Sequence, residues 1–61
     1  MGKKTFYIAN SEQLDEILLA LKERIPCFIT REYIEMDFSQ VEIVARIEDW
    51  ATVEDYLAPI V

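Results

Sequence analysis

The apolar positions of this chain follow three successive rhythms. Thr5-Phe6-Tyr7-Ile8 alternates in residues that favour strands, with Phe6 and Ile8 on one side and Thr5 and Tyr7 on the other. A first strand is predicted from Lys3 to Ala9. Leu14, Ile17, Leu18, Leu21 and Ile25 then recur at the steps of one helical face, the strongest periodic signal in the sequence. Asn10 precedes that run with Gln13 three residues on, the arrangement of a capping box, and Pro26 forces Ile25 out of helical geometry. The helix is predicted from Ser11 to Arg24, with Glu12, Asp15 and Glu16 near its start and Lys22 and Arg24 near its end, as the helix dipole favours.

Beyond Pro26 the period falls to two. Ile34, Met36 and Phe38 alternate with Glu35 and Asp37, and Val41, Ile43, Ala45 and Ile47 alternate with Glu42, Val44, Arg46 and Glu48. A hairpin turning at Ser39-Gln40 sets Phe38 against Val41, Met36 against Ile43 and Ile34 against Ala45 on the core side. Its other side pairs Arg31 with Glu48, Tyr33 with Arg46, Glu35 with Val44 and Asp37 with Glu42. The last of these is a like-charge opposition costing up to about 1 kcal/mol, and Ser-Gln lacks the residues of a tight primed turn, so a looser loop is the alternative. Glu32 falls on the core parity, which calls for a bulge near Arg31-Glu32. Asp49 or Thr52 opens a last short helix that ends at Pro59, and Trp50, Val53 and Leu57 point inward from it.

The order β-α-β-β-α predicts a single α+β domain over residues 1–61. It is a small two-layer sandwich, a three-stranded sheet with its helices on one face. Leu14, Leu18, Leu21, Phe6, Ile8, Met36, Ile43 and Leu57 form the expected core. A hydrophobic share of 52% supplies enough apolar surface to fold despite the charge. No uncharged run is long enough to span a bilayer, so a soluble, cytoplasmic protein without membrane contact is expected.

Charge changes the picture most. From Glu32 onward eight acids face Arg46 alone, a net −7, whereas the first half carries +1. Such a balance disfavours direct binding of nucleic acid and favours a basic protein surface as partner. With no histidine, one cysteine and one glycine, the chain offers no zinc site, no disulfide and no phosphate-cradling loop, and neither metal nor cofactor is expected. Cys27 reads as a buried, unreactive thiol.

The candidate site residues are therefore surface residues. Glu12, Glu16, Leu19 and Glu23 form an acidic stripe on the back of the helix, and Tyr33, Glu35, Asp37, Glu42 and Val44 share the outer face of the sheet with Tyr7 and Ile29. Aromatic anchors ringed by carboxylates suit a protein partner, the acids steering it. The function expected is a non-enzymatic inhibitor that mimics nucleic acid and occludes a basic groove. By analogy of class alone, compact acidic chains of this size include phage-type anti-defence inhibitors. A homodimer is expected as well, from the apolar-studded sheet face and its two free edges. The alternative functions are a small homo-oligomeric or accessory subunit whose acids only confer solubility, and an enzyme working through carboxylates such as Asp37 and Glu42.

Overall fold

The computed structural model describes residues 1–61 and has the expected α+β architecture. Strand β1 (Gly2–Ala9) leads into helix α1 (Glu12–Arg24), followed by β2 (Cys27–Glu35), β3 (Phe38–Ala45), a single 3₁₀ turn (Ile47–Asp49) and helix α2 (Trp50–Leu57). Strand β3 lies in the middle of the sheet, antiparallel to both β1 and β2. Both helices cover one face, because α1 presents Leu14, Leu18 and Leu21 and α2 presents Val53 and Leu57 to the same inward rows of the sheet. Ile8, Val41, Ile43 and Ala45 meet them there, with Ile25 closing the end. No helix is long and apolar enough to cross a membrane.

Three local readings of the sequence are corrected. The helix cap is Ser11, not Asn10: its extended backbone lets its hydroxyl accept from the Leu14 amide at 3.0 Å, while the Asn10 side chain is bound elsewhere. The hairpin turns at Met36-Asp37 rather than at Ser39-Gln40. No residue has positive φ, so this is not a primed turn, and a bulge at Ile34, between Tyr33 and Glu35, absorbs the mismatch in twist. The bulge therefore falls past Glu32, not at Arg31-Glu32.

Moving the turn changes every facing pair. Ile29 lies opposite Ile43, Arg31 opposite Val41 and Cys27 opposite Ala45, and Glu42 stands between Thr30 and Thr5 instead of against Asp37. Met36 is consequently 94% exposed in the turn and leaves the core, while Ile34 and Phe38 are each 43% exposed. Ser39 takes an inward position and is fully buried. A buried hydroxyl needs partners, and these come from Arg31, whose Nε donates to Ser39 Oγ at 3.1 Å, and from Asn10 Oδ1, to which the hydroxyl donates.

Trp50 starts α2 at the margin of the core, under the Lys4 ammonium at 5.3 Å and against the first residue of β1. A Cβ on Gly2 would come within 2.6 Å of the indole nitrogen, so the sole glycine is there for close approach. The burial pattern makes a direct prediction. Leu21→Ala should cost about 2–5 kcal/mol, and Leu19→Ala, on the outer side of the same helix, should stay within about 0.5 kcal/mol. Urea melts of the two variants check this, and similar losses would show that the helix faces were misassigned.

Candidate functional site

The sequence polarity of charge does not survive folding. Lys3 reaches Glu42 (3.9 Å), Lys4 reaches Glu54 (2.9 Å) and Arg46 reaches Asp49 (2.8 Å) and Glu48 (3.4 Å), while Arg31 pairs with Asp15. Two of the five bases of the first half, Lys3 and Lys4, are thus matched with acids of the second. Only Lys22 and Arg24 remain outside an ion pair, against seven acids: Glu12, Glu16, Glu23, Glu32, Glu35, Asp37 and Asp55. The unpaired charge left on the molecule is therefore mostly acidic.

The unpaired acids, with Glu42 beside them, fall on four surfaces rather than one, Asp55 being exposed on α2. Glu12, Glu16, Leu19 and Glu23 are exposed along the back of α1, as the spacing implies, with Leu19 at 63%. Glu32, Glu42 and Glu35 stand on the opposite side of the molecule, on the face of the sheet that no helix covers. Asp37 belongs to neither and sits in the turn. The helix stripe and the sheet residues cannot meet one flat partner surface together.

Register fixes the uncovered face row by row. Lys3, Val44 and Phe28 form the first row, Thr5, Glu42 and Thr30 the second, Tyr7, Gln40 and Glu32 the third, and Ala9, Phe38 and Glu35 the fourth. Phe28 is 70% and Tyr7 66% exposed on it. Of the residues expected there, Tyr7, Glu35, Glu42 and Val44 are present. Ile29 has turned inward to the core margin, and Tyr33 shares the parity of Arg31, its ring 4.6 Å from the guanidinium. Phe28 and Phe38 are the members that the sequence reading missed, and both follow once the turn is moved to Met36-Asp37.

Other chemistry is constrained by the same geometry. Asp37 lies in the turn, and Glu42 stands five positions further on, in the middle of β3. No cavity opens beside either. No three acids, with or without Cys27, converge as metal ligands. Cys27 is half-buried against the core, where burial pushes its thiol above the ordinary value; Lys22 opposes the rise and Asp49 adds to it. A comparison with family models, curated proteins and solved structures returned no match.

The thiol gives a testable consequence. Between its ordinary and its raised pKa the unfolded chain releases a proton that the folded chain keeps, so stability should fall as pH rises through that window. Alkylation by iodoacetamide at mildly alkaline pH should be slower in the folded protein than in urea. Equal rates would mean that the thiol is neither shielded nor held protonated.

Proposed function

We propose that this chain is a non-enzymatic binding protein that occupies a basic surface on a partner protein, one that otherwise holds nucleic acid. The observation that carries this reading is the excess of seven unpaired acids over two unpaired bases after intramolecular pairing. Acids held in a close ion pair at home contribute less to a partner than these, which keep their field for steering and their oxygens for new hydrogen bonds. All but Asp37 stand on regular elements, Glu12, Glu16 and Glu23 along α1, Glu32 and Glu35 on β2 and Asp55 on α2, and such carriers hold charges at fixed spacing, as a phosphate backbone does. The phage-type anti-defence inhibitor is the functional class that this arrangement resembles most.

The reading is tested by competition. A basic nucleic-acid-binding protein captured on the immobilised chain should be released by rising salt and displaced by duplex DNA or RNA, and in solution the chain should weaken that protein's hold on nucleic acid. A captured protein that keeps its full nucleic-acid affinity with the chain bound would overturn the mimic.

A homodimer is the second reading, favoured by the free outer edges of β1 and β2 that the order β1-β3-β2 leaves. Light scattering tests the dimer on its own. A dimeric mass that persists at moderate salt is expected if the edges pair, and a monomeric mass at high concentration ends that reading.

A further inference from the structure

The uncovered face of the sheet is more specific than its charge. Glu42 occupies its centre on β3, flanked by Thr5 and Thr30, while Tyr7 and Phe28 stand at opposite diagonals, each roughly 7–8 Å away by sheet geometry. We propose that this face, as the contact surface of the binding activity inferred above and resting on that reading, grips arginine side chains of an extended basic segment on the partner protein. Glu42 is the central ion-pair acceptor, and Tyr7 and Phe28 are the ring platforms.

Three features of the face select this occupant. Its carboxylates, Glu42, Glu32 and Glu35, are opposed by Lys3 alone, and the Lys3 ammonium is 3.9 Å from Glu42 with both side chains solvated, a contact weak enough to be exchanged. A ring beside a carboxylate suits guanidinium better than ammonium, because the planar fork stacks on the ring while it pairs with the oxygens. The chain performs this same recognition internally, where the Arg31 guanidinium lies 4.6 Å from the Tyr33 ring while pairing with Asp15. Finally, residues two apart in an extended segment rise about 6.6 Å, the same repeat as the rows beneath, so alternating arginines would register with successive rows.

Other occupants fit the face less well. Nucleic acid would set its phosphates against three carboxylates. A second copy would bring Glu42, Glu32 and Glu35 of both chains into one interface, with only the two Lys3 side chains to offset them, at a net charge of −6 per chain.

The test is an amide NMR titration of the full chain with two synthetic peptides, one alternating arginine with serine and one alternating lysine with serine, at the same salt. Shifts centred on Tyr7, Phe28, Gln40 and Glu42, with the arginine peptide about threefold or more tighter, are expected. Loss of both rings, Tyr7→Ala with Phe28→Ala, should erase that preference, and Glu42→Gln should weaken both peptides about fivefold. Melts of both variants confirm folding, and the comparison of peptides on the unaltered chain depends on neither variant. Shifts confined to the Glu12, Glu16 and Glu23 stripe, or equal affinity for the two peptides, would overturn the arginine-gripping face while leaving an acidic binder standing. Shifts on the same face that grow with protein concentration alone would assign it to a second copy and overturn the proposal. Failure to bind either peptide, together with failure to displace nucleic acid from a basic protein, would remove both this proposal and the reading beneath it.

Discussion

One guanidinium holds four parts of this molecule in place. Arg31 projects from β2 under the start of α1, where its side chain is only 18% exposed, and donates Nε to Ser39 on β3, Nη2 to Asn10 after β1 at 3.0 Å, and Nη1 to Asp15 on α1. Asn10 completes the junction by donating its backbone amide to the Asp37 carbonyl at 2.7 Å and its side-chain amide to the Met36 carbonyl at 3.4 Å. A charge so sheltered is tolerable only because every donor arm finds an oxygen. The consequence is geometric. The turn of the hairpin, the first turn of α1 at Asp15 and the inward position of Ser39 are tied by one network, so none can shift without orphaning a group in another.

This network also explains what could be read from the sequence and what could not. The α1 face, the alternation of β1 and that of Val41, Ile43 and Ala45 are legible because each burial follows from local period alone, and all but the half-buried Ile17 and Phe6 lie fully in the core. The hairpin was not legible in the same way. Ile34, Met36 and Phe38 alternate cleanly, yet they run into the turn and out of the core, while Ser39 goes in. Polarity made Ser39 look like a turn residue, and only a tertiary partner, Arg31, turns it into a core residue. The Asp37–Glu42 opposition and the poor turn residues Ser39-Gln40 were local signs of trouble, and so was Glu32 on the wrong parity. It points outward once Cys27, Ile29 and Arg31 are given the inward positions.

Candidate site residues divide along the same line. Glu12, Glu16, Leu19 and Glu23 were assigned from a helical period that the structure keeps, and they are exposed together. The sheet residues depended on register, so Tyr33 and Asp37 moved off the face and Phe28 and Phe38 moved onto it. Charge was the least transferable signal of all, because pairing is a matter of which strands become neighbours. Lys3 and Lys4 meet Glu42 and Glu54 across the whole length of the chain, and no count by halves could have placed them there.

An uncovered sheet face is, by itself, a consequence of where the helices pack. The two helices, of thirteen and eight residues, both lie on one side of the sheet. Its exposure therefore says little; what occupies it says more. A face meant only for water can be filled with threonine and lysine, and the Thr5 and Thr30 positions show that this chain uses such residues. Beside them stand Phe28 and Tyr7, more than half exposed, where solvation of a ring is a standing cost, and Glu42 sits between the two at the centre. Rings without a carboxylate would favour self-association, and carboxylates without rings would favour water. Their interleaving on rigid strands suits a ligand that is cationic and flat at once.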